Sequence, residues 1–189
     1  MGLDISALSN IKRSEVQDPE DSSNEIRIWK QTNFPDHCEL EEGSYEETAD
    51  TRSHGFRAGS YSGHNRFRNI LALCTLGVKA ETVWEAEDIF MSRPFFNLLN
   101  FSDCEGIIGP DYSAVLFEDF RDNRERFIRN LKQEIDFTKV TEDPLSLEPE
   151  FILDDFNLSE EDIEYYIELY DDWTLAFELA KDGGIVQFH

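Results

Sequence analysis

The alternation of polar and apolar positions divides the chain into recognisable elements. GLDIS near the start is a short apolar segment that reads as a strand, and EIRIWK (residues 25–30) alternates as a half-buried strand should. Gln31 to Gly55 lacks periodicity and is rich in Gly, Ser, Asp, Glu and His, which predicts a long acidic surface loop at about 31–55. From about Asn65, the spacing of Phe67, Ile70, Leu71 and Cys74 predicts a helix, with Ser62 or Gly63 at its start. A second helical stretch is expected from about Ala80 to Met91, interrupted by Pro94, and Phe95 to Phe101 forms a dense apolar patch.

SDCEGIIGPDYS reads as a structured connection, with Pro110 placed for the first turn of the next helix. That helix carries Leu116, Phe120, Phe127, Leu131 and Ile135 on one face and Arg121, Arg124, Arg126 and Arg129 outside. An acidic linker follows at about 139–158. Ser159 and Asp162 then resemble a capping box, and Ile163, Tyr166, Ile167, Tyr170, Trp173, Phe177 and Ala180 mark a long amphipathic helix that Gly183 and Gly184 end. IVQFH closes the sequence as a strand. The expected fold is α+β, a single domain over 1–189. A small antiparallel sheet includes the first and last strands and is packed by about four helices.

Composition changes the picture in one respect. The 189 residues hold 41 acidic and 17 basic side chains, a net charge of −24, and the charge is segregated. Residues 14–50 hold twelve acids against Arg27 and Lys30, and residues 140–180 hold fourteen acids and no base. Residues 51–80 hold Arg52, Arg57, Arg66, Arg68 and Lys79 and no acid. Such a balance argues against direct nucleic-acid binding through a broad basic face and against anionic membranes. No apolar run reaches the length of a membrane span. MGLDIS fits an N-terminal acylation pattern, although a first strand accounts for the same residues. Three cysteines without CxxC spacing suit a reduced, cytoplasmic compartment.

The basic stretch FRAGSYSGHNRFRN (residues 56–69) is the candidate site. Arg57, Gly59, Ser60, Tyr61, Ser62, Gly63, His64, Arg66 and Arg68 combine glycines for close backbone approach, hydroxyls, an aromatic ring and guanidinium forks at a helix N-terminus. Those parts suit a nucleotide-like anion. The bland alternative is that the arginines pair with acids elsewhere and hold the fold together. Arg66 and Arg68 are two apart, so on a regular helix they diverge by about 200°. The stretch is neither a Walker loop nor a dinucleotide fingerprint. His37, Cys38, His54, His64 and Cys104 include no pair with metal-ligand spacing, so neither metal nor cofactor is expected. No catalytic residue is assigned.

FRAGSYSGHNRFRNILA and FFNLLNFSDCEGIIGPDYSAVLFEDF, with the MGLDIS start and the GGIVQFH end, resemble a family of uncharacterised proteins of phages, prophages and bacteria. The resemblance skips the acidic 14–50 and 139–160 stretches and implies no established activity. It implies a setting, the host cytoplasm, in which small phage-type accessory proteins act against host defences. Three functions are then in contention. The first is a sponge that sequesters a nucleotide-derived signal at the basic stretch, and two chains closing one pocket are compatible with it. The second is an acidic nucleic-acid mimic that binds a basic host protein through Asp154, Asp155, Glu160, Glu161, Glu164, Glu168, Asp171 and Asp172. The third is an enzyme acting on a phosphorylated small molecule, with Asp103 and Glu105 near the arginines.

Overall fold

The computed structural model describes residues 2–15, 26–102, 104–132 and 158–189. The elements run β1 (Gly2–Leu8), β2 (Lys12–Arg13), β3 (Ile26–Ile28), β4 (Gly43–Glu46), β5 (Ser53–Ser60), α1 (Tyr61–Leu76), α2 (Ala80–Glu85), α3 (Glu87–Phe90), α4 (Phe96–Leu99), β6 (Gly106–Ile108), α5 (Pro110–Leu131), α6 (Glu160–Ala180) and β7 (Ile185–Phe188). An antiparallel four-stranded sheet in the order β5-β1-β7-β6 places the first and last strands side by side at its centre. The fold is α+β, as the periodicity predicts.

Alternation along the strands sets the layers. Leu3, Ile5, Ala7, Val186, Phe188 and Ile108 bury one face of the sheet against α1, α5 and α6. Trp173 of α6 lies at the centre, 5.1 Å from the Phe56 ring, 5.5 Å from Phe188 and 5.6 Å from Phe177. Tyr170 donates its hydroxyl to Phe120 O at 2.6 Å and stacks on Phe127, which joins α6 to α5. On the opposite face, a second small sheet (β2-β4-β3) packs Ile26, Ile28 and Tyr45 with Cys38 against Ile107 and Ile185. That face is polar where β1 and β5 pair, with Asp4 opposite Arg57 and Ser6 opposite Gly55.

Several elements differ from the sequence expectation. The 31–55 stretch is not a bare loop, because β4 lies within it with Ser44 and Tyr45 buried, and β5 begins at Ser53. The GII of the connection is an edge strand, β6. The 80–91 helix is broken at Ala86 into α2 and α3, and α4 is a further short helix inside the apolar patch. Helix α1 starts at Tyr61, four residues before the apolar periodicity becomes visible, because Ser60 is its cap and accepts from Gly63 N at 3.0 Å. The capping box at Ser159 and Asp162 and Pro110 in the first turn of α5 stand where the sequence places them. Ile135 and the acidic linker lie outside the described residues.

Two titratable groups in this core oppose one another with pH. His64 is wholly buried, neither ring nitrogen has a hydrogen-bond partner among the described residues, and burial with the Arg68 charge nearby pushes it down to about 3. Native His64 therefore stays neutral where the unfolded chain takes up a proton, and stability falls as pH drops from about 6.5 towards 3. Burial pushes Asp119, whose carboxylate holds Phe95 N at 2.8 Å, up to about 6. Its native protonation favours folding at low pH, a contribution lost as pH rises from about 3.8 through about 6. His64→Leu should flatten the acid side of a urea-midpoint profile between pH 6 and 4, and Asp119→Asn should steepen it. Unchanged profiles in both would contradict these assignments.

Candidate functional site

Strand β5 leads directly into α1, and the basic stretch spans the join. Leu3 pairs with Gly59 and Asp4 with Arg57, so Ala58 is the extra residue of a bulge. Gly59 takes φ 107°, a conformation closed to most side chains, and this turns the strand into the helix. The Tyr165 hydroxyl of α6 stands 3.6 Å from the point where a Cβ on Gly59 would lie, so the turn is overlaid by a neighbouring element.

The nine candidate residues are not gathered on one surface. Arg57 is exposed on the polar face of the sheet, 3.7 Å from Asp4. Ser60 serves as the helix cap, its hydroxyl 3.0 Å from that of Ser62, which is exposed. Tyr61 is half-buried against the main core, and Gly63 is partly covered. His64 faces the interior, 5.7 Å from the Trp173 ring. Arg66 is exposed and its charge acts on Asp162 and Tyr166 of α6. Arg68 points elsewhere, as the two-residue spacing requires. It is 4 % exposed and donates from Nη1 to Leu99 O at 3.2 Å and to Phe101 O at 2.7 Å, and from Nη2 to Asn65 Oδ1. Its guanidinium lies 5.3 Å from the Trp84 ring centre. Much of the basic stretch thus joins elements of the fold: Arg57 pairs with an acid, Asp4, whereas Arg68 bonds to backbone carbonyls and an amide.

The buried end of that stretch nevertheless builds a cleft. Asn65 and Arg68 of α1, Trp84 of α2, and Asn100, Phe101 and Ser102 line a depression of about 380 Å³, within the usual range for small-molecule sites. Trp84 donates its indole N–H to Leu99 O at 2.7 Å, so the same carbonyl anchors both the ring and the guanidinium. Asn100 donates to Glu87 Oε1 at 3.1 Å. Ser102 Oγ accepts from Glu105 N at 3.3 Å and Cys104 N at 3.4 Å. Sequence reasoning places Asn100 and Ser102 only in or beside an apolar patch and leaves Trp84 inside a helix. The polar residues that flank Phe101 were the available signal.

The other candidate chemistry is spread out. Glu105 immediately precedes β6, three strands from Arg57 on β5, about 14 Å at ordinary strand spacing. Asp103 lies outside the described residues. Among the described residues no group of three His, Cys, Asp or Glu side chains could hold a metal ion, and no helix is long and apolar enough to cross a membrane. Burial pushes the Cys38 thiol up to about 11 and Cys74 up to about 12, which leaves both unreactive at neutral pH. No family model, curated protein or solved structure matches the chain.

The two arginines at the ends of this stretch should behave differently on removal. Arg68→Met strips donors from buried carbonyls and should cost about 3 kcal/mol of stability in urea denaturation. Arg57→Ala breaks only an exposed pair and should leave the unfolding midpoint unchanged. Equal effects would contradict the division of the stretch into buried and surface halves.

Proposed function

We propose that the protein binds a small nucleotide-derived anion and holds it without transforming it. In the phage setting implied by the resemblance, it acts as a sponge that withdraws a signal from host defences. The observation that carries this reading is the cleft at Arg68. A permanently charged side chain lies at the wall of a depression with an indole, two amides and a hydroxyl around it. A cation in that position favours an anionic ligand through its field, while the half-buried Trp84 ring offers apolar contact to a planar group. Among the described residues, the lining of this cleft holds no carboxylate, histidine or cysteine to act as a base or nucleophile beside Ser102, which favours retention over turnover.

A second reading draws on α6. Glu160, Glu161, Glu164 and Glu168 are exposed and make no ion pair among the described residues, which suits an acidic inhibitor of a basic host protein. Asp171 and Asp172 are less available to it. Asp171 is gripped by Arg124 through two contacts of 2.7 Å, and Asp172 lies 3.0 Å from His54 Nε2. Asp154 and Asp155 lie outside the described residues.

The test is a thermal-shift screen against mono-, di- and cyclic nucleotides and ADP-ribose-type molecules, with the bound compound analysed by chromatography. A ligand at about 100 times its Kd adds about 2.7 kcal/mol, or roughly 5–10 °C for a chain of this size. Such a shift, with the compound recovered intact, is the expected result. Recovery of an altered compound would make the protein an enzyme. A flat screen, together with a salt-sensitive host complex lost on reversing the four exposed glutamates, would transfer the function to α6.

A further inference from the structure

Strand β5 is the longest of the main sheet and stands at its edge, paired on one side only, to β1. Among the described residues no hydrogen bond from any other element reaches the backbone of Ser53–Ser60. Such an edge is a row of unused donors and acceptors, which proteins commonly blunt with proline, lysine or a covering element. SHGFRAGS holds neither proline nor lysine. The bulge at Ala58 still leaves Ser53–Arg57 as regular strand, within the usual length of a strand partner. Gly55 is exposed, and a Cβ there would meet only Ile5 O of the paired strand, at 3.6 Å.

Helix α6 runs beside this edge. Its Tyr165 hydroxyl stands at the Gly59 turn and its Asp172 carboxylate lies 3.0 Å from His54 Nε2, so the helix passes antiparallel to β5. At helical spacings of three and four from those residues, Glu168 and Glu161 complete the same stripe. Both are exposed, and neither makes an ion pair among the described residues. Asp172 is already taken by His54. On the other face of the strand Arg57 lies 3.7 Å from Asp4.

From this arrangement we infer that the β5 edge takes an extended basic segment of a partner protein as a further strand, with alternate Lys or Arg side chains turned towards Glu161 and Glu168. Main-chain hydrogen bonds supply affinity and the acidic stripe selects the charge. Successive side chains of a strand point to opposite faces, so only every second residue meets the glutamates. The others lie beside Ser53, Gly55 and Arg57, where uncharged residues fit. A net charge of −24 opposes a second copy of this chain at the same edge and favours a cationic partner. Nucleotide binding at the Arg68 cleft is neither needed nor affected. The acidic-face reading uses these glutamates for charge alone; the edge adds a backbone ladder.

The probe is an acetylated and amidated eight-residue peptide that alternates Lys with Thr, titrated by calorimetry into the full chain, with amide exchange followed by NMR. It should bind at least tenfold more tightly than its Glu-for-Lys counterpart. It should slow exchange of the outward amides within Ser53–Arg57 and leave the β7 amides unchanged. N-methylating all Lys or all Thr residues removes the donors of one peptide edge, and one of the two should weaken binding at least tenfold. Glu161→Lys with Glu168→Lys should do the same, and Glu178→Lys, exposed on the same helix but off the stripe, should change it less than threefold. Binding that both N-methylated peptides retain is charge alone; it would overturn strand addition and leave the acidic-face reading standing. Absence of binding by the parent peptide would overturn strand addition too. So would outward β5 amides already protected in the free protein: independent of concentration, they place the chain's own residues on the edge, and dependent on it, a second copy.

Discussion

A guanidinium buried beneath backbone carbonyls organises this molecule. An unpaired cation in a protein interior is prohibitive, and oxygens from the 99–101 segment and from Asn65 accept from the buried Arg68. Those bonds fix the end of α4 against the first half of α1 and hold Trp84 to the same carbonyl. The chain can then pass through Ser102 into β6. The cleft is the surface consequence of that junction.

A second constraint acts on the sheet. The centre of the sheet is the pairing of β1 with β7, elements at opposite ends of the sequence. These strands were legible because Leu3, Ile5 and the IVQF run are apolar and short. Helices α5 and α6 were legible because their apolar positions repeat for about twenty residues and are announced by Pro110 and by the Ser159 capping box. Strands β4 and β6 were not. The GSYE of β4 is polar and sits in an acidic stretch, and the GII of β6 is flanked by glycines and a proline that read as a connection, so each is defined by its partner strand rather than by its own pattern. The start of α1 was hidden because YSGHN lacks helical apolar spacing. A serine cap and tertiary packing decide the matter there.

The candidate site was legible in part. The acid-free stretch marked a place where charge matters, and the spacing of Arg66 and Arg68 already required them to part. Which arginine turns inward depends on α6 lying over Gly59 and on the 99–101 carbonyls, and neither is local to the stretch. Trp84 on α2 and the Asn100–Ser102 segment reach the cleft from separate parts of the chain, so no motif could have joined them to Arg68. His64 shows the opposite limit. A histidine in a glycine-rich stretch looks like a ligand-binding group, yet its position one helical turn before Arg68 places it among Trp173, Phe67 and Phe188.

The central claim is that ligand recognition sits at the Arg68 cleft and not on the turn that joins β5 to α1. The most direct measurement is a two-dimensional amide and indole NMR titration with the tightest-binding nucleotide. The account predicts that the Trp84 indole N–H, the side-chain amides of Asn65 and Asn100 and the Ser102 amide move together, with the Gly59–Gly63 amides still. Movement concentrated at Gly59–Gly63, with the Trp84 indole unchanged, would contradict it.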